Sequence, residues 1–152
     1  MGKIHSRIGT AADVAAVIEI ARAMHAGSRY SRLPFDAERL RGLLAWLAGH
    51  GDGLFLVTVA EGEIVGALAA CAVEHPWLSA QAANAFELFV RPEHHGGVIG
   101  ARLLKGYIAW AREMEIPGEL ITASEQQGHG SSAYTACGFK PTGNVYACEE
   151  AR

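Results

Sequence analysis

The fold is decided by residues 84–113, which read NAFELFVRPEHHGGVIGARLLKGYIAWARE. An apolar run over residues 86–90 ends just before Pro92, which suits a buried strand because proline cannot continue a hydrogen-bonded ladder. Apolar residues then recur at helical spacing over residues 99–111. The glycine-rich segment 95–100 therefore lies where a strand gives way to the N-terminus of a helix.

This junction is suited to binding an anion. The first turn of a helix has backbone N–H groups without internal partners, and the helix dipole places partial positive charge there. Glycines allow a bulky anion to approach the backbone closely. The segment therefore predicts a phosphate or pyrophosphate site, although a tight strand–helix turn that binds no ligand has the same local pattern.

Composition limits the class of protein. The 152 residues are 50% hydrophobic and carry a net charge of −3, which predicts a single globular domain over residues 1–152. The sequence has no basic tract and no apolar run of transmembrane length, so neither a nucleic acid nor a membrane is expected as a partner. Cys71, Cys137 and Cys148 match no zinc pattern, and a reduced, cytoplasmic protein is the expectation.

Periodicity along the whole chain predicts the element order β-α-α-β-β-β-α-β-α-β-β. Thr10 with Asp13 is expected to cap the first helix, Asp36 the second, and Gly138 to end the last in a left-handed conformation. Helices and strands that mix without strict alternation indicate an α+β fold, in which helices flank a mixed, largely antiparallel central sheet. The strands are expected over residues 4–9, 54–60, 64–73, 86–90, 119–124, 140–142 and 145–148.

Two motifs suggest a family. Residues 88–100 read LFVRPEHHGGVIG, a strand followed by a glycine-containing turn, and residues 133–139 read AYTACGF, a short helix that bears a tyrosine and ends in Gly-Phe. Their order and separation resemble the GCN5-related N-acetyltransferase (GNAT) superfamily over nearly the whole chain. The chain departs from the family's usual turn at His95, where arginine or glutamine is common, and at Val98, where glycine is common.

The resemblance implies an acetyl-CoA-dependent N-acetyltransferase that moves an acetyl group to a primary amine by direct attack in a ternary complex. The pyrophosphate of acetyl-coenzyme A is expected on the N–H groups of the turn, and its pantetheine arm is expected to pair beside the preceding strand, which the family splays open with a bulge. The predicted coenzyme-binding residues are Leu88, Phe89, Val90, His95, Gly96, Gly97, Val98, Ile99, Gly100 and Ala101.

The two departures bear on the geometry of the turn. If Val98 is helical, its branched side chain is expected to point into the core. Gly96 and Gly97 are then expected to take over the close approach to the phosphates.

The same resemblance implies roles for three groups in the reaction. Tyr134 is the expected acid that protonates the leaving thiolate, Glu87 is the expected base for the amine, and the N–H of Leu88 is the expected donor to the thioester carbonyl. The alternative interpretations are a core tyrosine packed beside Phe139 and a glutamate satisfied by polar neighbours.

Other candidates are weaker. Glu74 and His75, at the end of the third strand, are lesser candidates for the base. An acyl-cysteine route through Cys71 or Cys137 is not expected, because buried cysteines are usually inert. No metal site is expected either, because the seven histidines share no ligand spacing.

The sequence does not identify the acceptor amine. The first two helices and the loop over residues 28–35 are expected to form its wall, where Arg29 and Arg32 could bind an acidic acceptor or simply be exposed. A small amine, an antibiotic, a polyamine, or a lysine or N-terminus of a protein all fit. A homodimer is compatible with Trp77 or Trp110 as exposed anchors.

A second class of function is also open. His95 and Val98 favour a non-catalytic GNAT-fold module that binds acetyl-CoA, CoA or a protein partner, whereas Tyr134 and the intact strand motif favour an enzyme. A nucleotide-binding enzyme is a distant third, because the sequence has neither a phosphate-loop lysine signature nor GxGxxG.

Overall fold

The computed structural model of the chain describes residues 2–124 and 131–148. Five strands form one sheet in the order β1-β2-β3-β4-β5. They are β1 (Ile4–Ile8), β2 (Gly53–Ala60), β3 (Glu63–Glu74), β4 (Gln81–Val90) and β5 (Ile121–Ala123). The described helices are α1 (Val14–Ala26), α2 (Ala37–Gly49), α3 (Ile99–Glu113) and α4 (Ser131–Ala136).

Strands β1 to β4 pair antiparallel, and β5 joins the edge of β4 in parallel. The predicted α+β class with a largely antiparallel sheet is therefore confirmed. The β2–β3 hairpin turns at Glu61 and Gly62, whose φ angles of 53° and 80° suit a two-residue turn with both central residues in the left-handed region.

Two apolar layers cover the sheet. On one face, α1 and α2 pack against residues such as Phe55, Val57 and Phe89. On the other face, α3 packs so closely against β3 that a methyl group at Gly66 would lie 2.7 Å from Cγ2 of Ile99. Burial on both faces explains why β2 and β3 read as continuous apolar runs rather than as alternating ones.

Local capping chemistry is as predicted. The carboxylate of Asp13 accepts hydrogen bonds from the backbone N of Thr10 at 2.8 Å and from both terminal nitrogens of Arg7 at 2.7 and 2.9 Å. The hydrogen bond from Arg7 holds the pKa of Asp13 down to about 2. Asp36 caps α2 by accepting from the backbone N of Arg39 at 2.9 Å.

The prediction of two strands at 140–142 and 145–148 is wrong, because residues 140–148 form no strand. Val145 and Tyr146 are each 89% exposed. Pro141 cannot donate to a ladder, and an apolar alternation becomes a strand only where a neighbouring strand pairs with it.

Other element bounds differ from the predictions at their ends. β5 has only the three residues Ile121–Ala123, because a 3-10 turn over Gly118–Leu120 takes up the residues before it. β4 begins at Gln81 rather than at residue 86, because the polar and small residues 81–85 continue the ladder with β3. Within residues 2–124 and 131–148, no helix has both the length and the apolar composition that a bilayer crossing requires.

The tryptophans proposed as anchors differ in exposure. Trp77 is 81% exposed, as expected. Trp110 is only partly exposed and packs against the core below α3, so the expectation that it is an exposed anchor is wrong. Its ring stacks near that of Tyr107, with 6.2 Å between the centroids.

Candidate active site

A bulge in β4 lies at the centre of the site. The ladder with β3 places Glu87 opposite Ala69 but Ala85 opposite the next residue of β3, so Phe86 is an extra residue. A bulge interrupts the alternation of side chains along a strand. As a result, the consecutive residues Phe86 and Glu87 both line a cavity below α1 and α2, whereas Leu88 packs in the core on the α3 side. The bulge implied by the resemblance is confirmed.

Glu87 has an unusual electrostatic environment. Burial raises the pKa of its carboxyl group to about 7, and an interaction with the backbone N–H of Leu88 opposes this increase only in part. A carboxyl group with a pKa near 7 exchanges its proton readily at neutral pH. Glu87 is therefore suited to act as a base, and its surroundings are not those of a glutamate satisfied by several polar neighbours.

The cavity that Glu87 faces has a volume of about 410 Å³. Helices α1 and α2, the loop at residues 28–35 and the bulged part of β4 line it together, as expected for an acceptor wall. Arg29 and Arg32 are exposed and do not line the cavity, and the guanidinium of Arg29 lies 5.2 Å from the centroid of the Tyr30 ring. The carbon-rich part of the lining includes Met24, Phe35, Leu40, Leu43, Phe86 and Phe89.

On its other edge, β4 diverges from β5. The parallel pairing has three residue pairs and ends at Ala85 and Ala123, after which Ser124 donates its N–H to the carbonyl of Ala85 at 3.0 Å. Within the described chain, residues 86–90 have no strand beside them on this edge. The predicted residues 88–90 therefore present a backbone edge to which an extended amide chain can pair.

The turn that follows β4 uses some of its own N–H groups. His95 donates its backbone N–H to the carbonyl of Pro92 at 3.2 Å, and Gly97 donates to His94 at 3.3 Å. The ring Nε2 of His95 lies 2.8 Å from the carbonyl oxygen of Val90, which ties the turn to the end of β4. The backbone N–H groups of His95 and Gly97 thus hold the turn together and are less available to a phosphate than predicted.

The N-terminus of α3 offers other donors. The N–H of Arg102 bonds to the carbonyl of Val98 at 3.0 Å, and the N–H groups of the first-turn residues 99–101 have no acceptor within the helix. Gly96 has a φ of +79°, a conformation that favours glycine and shapes the approach to this turn.

Val98 departs from its prediction, and Gly100 has a packing role besides the predicted one. Val98 is 58% exposed, so the expectation that its side chain points into the core is wrong. The helix begins one residue later, and Ile99 takes the core position. A methyl group at Gly100 would lie 3.3 Å from Cβ of Ala133 and 3.5 Å from Cδ2 of Leu88, so this glycine lets α4 and β4 approach α3 closely.

Tyr134 lies on α4, next to the end of β5. Its hydroxyl donates to the carbonyl oxygen of Ser124 at 3.1 Å, and its ring meets Phe139 edge-on, with 5.8 Å between the centroids. Gly138, with a φ of +88°, closes the helix as predicted, and the N–H of Phe139 bonds back to the carbonyl of Tyr134 at 3.0 Å. Tyr134 therefore has the Phe139 contact of a core tyrosine, and its hydroxyl also reaches the strand end where β4 and β5 separate.

The lesser candidates for the base lie elsewhere. Glu74 pairs with Gln81 at the far end of the β3–β4 hairpin, five positions beyond Ala69 on β3. At about 3.3 Å per residue, that is roughly 16 Å along the strand from the position opposite Glu87. Nδ1 of His75 accepts a hydrogen bond from the N–H of Trp77 at 3.3 Å, which stabilises the hairpin loop.

Cys71 and Cys137 are poor nucleophiles. Burial raises the pKa of the Cys71 and Cys137 thiols, which disfavours the thiolate form. The thiol of Cys137 also lies 3.6 Å from the carbonyl oxygen of Ala101. Within residues 2–124 and 131–148, no three His, Cys, Asp or Glu side chains come together in an arrangement that could hold a metal ion.

Sequence reasoning missed two polar residues near the site. Tyr107 falls on the apolar helix face predicted over residues 99–111, yet its buried hydroxyl donates to the carbonyl oxygen of Thr122 at 2.6 Å and ties α3 to β5. A tyrosine on a buried helix face was the available signal, because a buried hydroxyl needs an acceptor. His25 lines the cavity, and its buried Nε2 has no hydrogen-bond partner among the described residues.

Curated relatives carry acetyltransferase names. N-acetyltransferase 8 of Homo sapiens is 30% identical over 108 residues, which cover 71% of this chain and 47% of that protein. N-acetyltransferase 8B of Mus musculus is 29% identical over 102 residues, which cover 67% of this chain and 44% of that protein. The chain thus spans less than half the length of these relatives.

Solved structures share the fold at low identity. The BH1408 protein of Bacillus halodurans, as a tetramutant, has a TM-score of 0.76 at 16% identity and covers 95% of this chain and 98% of its own. An aminoglycoside acetyltransferase from an uncultured soil metagenomic sample has a TM-score of 0.68 at 18% identity, covering 97% of this chain and 93% of its own. Identities this low establish the fold and not the substrate.

The family assignment rests on a match to most of the chain. The model of the Acetyltransferase (GNAT) family matches residues 14–139, which span α1 to the residue after Gly138. This range includes the bulged strand, the glycine turn and Tyr134. The chain therefore belongs to the GNAT family of acetyltransferases.

Proposed function

We propose that the protein transfers the acetyl group of acetyl-coenzyme A to a primary amine within a ternary complex. One observation carries the proposal. Glu87, beside the bulge in β4, presents a carboxyl group with a pKa of about 7 to a cavity on one face, while residues 86–90 have a backbone edge that no described strand covers beside the diverging β5. An acceptor and an acyl donor can therefore approach the same short segment of β4 from different sides.

The residues beside β4 suit the coenzyme. The unpaired edge at residues 88–90 would hold the amide groups of the pantetheine arm, and the N–H groups of residues 99–101 would hold the pyrophosphate. Gly96 would allow the phosphates to approach the turn. When bound, acetyl-coenzyme A supplies an activated thioester.

Glu87 acts on the acceptor. A primary amine is mostly protonated at neutral pH and must lose a proton to become a nucleophile. The buried carboxylate of Glu87 attracts the ammonium group and takes its proton, which neutralises the carboxylate in its apolar surroundings. Because the Leu88 N–H also interacts with this carboxylate, protonation of Glu87 leaves that N–H for the thioester carbonyl oxygen, on which negative charge develops.

Tyr134 acts on the leaving group. As the C–S bond breaks, the coenzyme sulfur takes the bonding electron pair and receives a proton from the Tyr134 hydroxyl. The acetylated nitrogen loses its second proton as the amide forms, and exchange of that proton through solvent restores the Tyr134 hydroxyl. The hydroxyl donates to the Ser124 carbonyl at 3.1 Å, so a rotation about its C–O bond redirects it towards the cleft between β4 and β5. The edge-on contact with Phe139 holds the ring in place while the hydroxyl turns.

A specific observation favours the alternative, a non-catalytic module that binds acetyl-CoA, CoA or a protein partner. The N–H groups of His95 and Gly97 are used within the turn, and the exposed side chain of Val98 stands beside the first turn of α3. Both features weaken the expected binding of the pyrophosphate, which favours in particular a module that binds a protein partner.

Binding and turnover separate the two functions. Calorimetry with acetyl-coenzyme A measures binding, and release of the free coenzyme thiol in the presence of a panel of primary amines measures transfer. We expect binding together with amine-dependent thiol release. Binding without release for any amine would favour a module that binds the coenzyme. Absence of binding would contradict the transferase and leave only a module that binds a protein partner.

A further inference from the structure

We infer that the acceptor is a hydrophobic monoamine, a primary amine whose single cationic centre is attached to an apolar group of about aromatic size. The inference rests on the proposed function, because it takes the cavity in front of Glu87 as the acceptor site. It goes beyond that function in naming the class of amine and the side chains that select it.

The walls of the cavity are mostly apolar. Phe35 and Leu40 face it from the start of α2 and the residues before it, and Phe86 and Phe89 face it from β4. Three of these four side chains are aromatic, and flat apolar groups pack well against such rings. Burying an apolar group of the acceptor here contributes about 25 cal/mol for each Å² removed from water.

The cavity offers one buried charge. Glu87 is the carboxyl group at its base, and burial alone is enough to raise its pKa to about 7. The other charged lining residues, Asp36 and Arg39, pair with each other: the Asp36 carboxylate accepts from the backbone N of Arg39 at 2.9 Å and lies 3.8 Å from its guanidinium Nε. The side chains of Asp36 and Arg39 are 59% and 88% exposed, so neither adds a buried charge. A second ammonium group buried in the cavity would therefore lie against carbon with no buried counter-charge, which is unfavourable.

His25 points independently to a ligand. It lines the same cavity, its ring lies 5.5 Å from that of Phe35, and its Nε2 is buried without a hydrogen-bond partner in the described part of the chain. Buried polar atoms are normally hydrogen-bonded, so an unpartnered nitrogen in the lining indicates that the cavity takes a ligand whose amine can bond to it. The volume of about 410 Å³ falls within the range usual for small-molecule sites.

The first experiment compares three amines of different charge with the full chain and acetyl-coenzyme A: 2-phenylethylamine, spermidine and sisomicin. The readout is kcat/KM from release of the coenzyme thiol. We expect 2-phenylethylamine to exceed each polycation by roughly 10-fold or more, the size of discrimination that an apolar pocket provides. A higher kcat/KM for spermidine or sisomicin would overturn the inference and leave the proposed function intact.

A matched pair of variants tests the wall itself. Leu43 lines the cavity and is 38% exposed, so Leu43→Asp adds a carboxylate at a position where the fold can accept it. Trp46, on the same helix and 46% exposed, does not line the cavity, so Trp46→Asp is the control. We expect Leu43→Asp to reduce the preference for 2-phenylethylamine over spermidine by roughly 10-fold and Trp46→Asp to leave it unchanged. Equal effects of the two variants would contradict the inference.

Direct binding distinguishes failure of the inference from failure of the proposed function. If no amine is acetylated, calorimetric titration of the coenzyme-bound protein with 2-phenylethylamine and with spermidine decides. Preferential binding of 2-phenylethylamine would support the inference although the proposed function had failed. Absence of 2-phenylethylamine binding, or preferential binding of spermidine, would overturn it.

Discussion

Glu87 and Tyr134 lie in regions that are held together differently. Glu87 is on β4, in the antiparallel part of the sheet, where even the short β1 pairs with its neighbour over five residues. Tyr134 lies beside β5, which pairs with β4 over three residues. In the described chain, no strand follows on the far side of β5, because residues 140–148 stay irregular.

In the proposed reaction, the two proton transfers take place in these two differently held regions. The group that takes the amine's proton is on a long ladder, so its position depends little on the rest of the site. The group that protonates the leaving sulfur is on the short helix α4, and its contacts include the Ser124 carbonyl and the Phe139 ring, beside the link from Tyr107 to Thr122. The proposed cleft for the coenzyme lies along the boundary between these regions, where β4 and β5 diverge.

The largest effect is expected from Glu87→Gln, which removes the base and keeps the shape. We expect kcat to fall by roughly 10²- to 10³-fold. In the wild type, kcat/KM should rise with pH through about 7 as the carboxyl group ionises, and the variant should lack this limb. Steady-state rates over pH 5.5–9 provide the measurement, with Glu74→Gln at the far end of β3 as the control; an equal loss in the control would contradict the assignment.

Glu87→Gln should also change stability in a pH-dependent way. The folded-state pKa is raised to about 7 from an ordinary value near 4.5, so the folded wild type loses stability as pH rises between these values. The variant has no such charge to bury. Its gain in Tm over the wild type should therefore be greater at pH 8 than at pH 4, and an equal gain at both would argue against burial as the cause.

The next effect is expected from Tyr134→Phe, in the more weakly held region. Loss of the proposed acid should lower turnover by roughly 10²-fold or more, with little change in acetyl-coenzyme A binding. Tyr146→Phe is the matched control, because Tyr146 is 89% exposed. Undiminished turnover in Tyr134→Phe would leave Tyr134 as a core residue beside Phe139.

A smaller effect is expected from Tyr107→Phe, which releases β5 from α3. The variant leaves the Thr122 carbonyl without its 2.6 Å hydrogen bond, and we expect a loss of about 1–2 kcal/mol in the free energy of unfolding. The affinity for acetyl-coenzyme A should fall by several-fold, while the pH midpoint set by Glu87 should not move. A shifted midpoint without a change in affinity would show that the two regions are not independent.

The smallest effect is expected from Asp13→Asn, far from the cleft. The folded-state pKa of Asp13 is lowered to about 2 by Arg7, so its contribution is present above about pH 4 and is lost as pH falls towards 2. Because Arg7 is 42% exposed, we expect a loss of only about 1 kcal/mol at pH 7. Denaturant unfolding at pH 7 and pH 2.5, with Asp36→Asn as the control, should show a difference at the higher pH alone; turnover should be unchanged.

The features predicted correctly depend on a few neighbouring residues. Thr10 with Asp13, Asp36 and Gly138 behave as predicted because capping and left-handed termination are decided within one helical turn. The two family motifs, each a short segment of neighbouring residues, also predicted the fold and the bulge correctly.

The features that failed depend on distant parts of the chain. Whether Val145 and Tyr146 join a strand is decided by what lies beside β5, and whether Val98 is buried is decided by where α3 begins against β3. The cavity below α1 and α2 forms only when distant parts of the chain pack together, and so does the hydrogen bond from Tyr107 to Thr122.

The bulge also makes the site sensitive to an insertion or deletion in β4. β4 is one residue longer at Phe86 than its pairing with β3 requires. A deletion of Phe86 would leave Glu87 on the cavity face, since Ala85 and Leu88 would still alternate with it, but it would make the strand continuous. The edge beyond Ala85 would then be free to follow β5, and the cleft would narrow. The opening proposed to accept the coenzyme thus depends on a single surplus residue, which an insertion or deletion could create or remove without altering any other side chain.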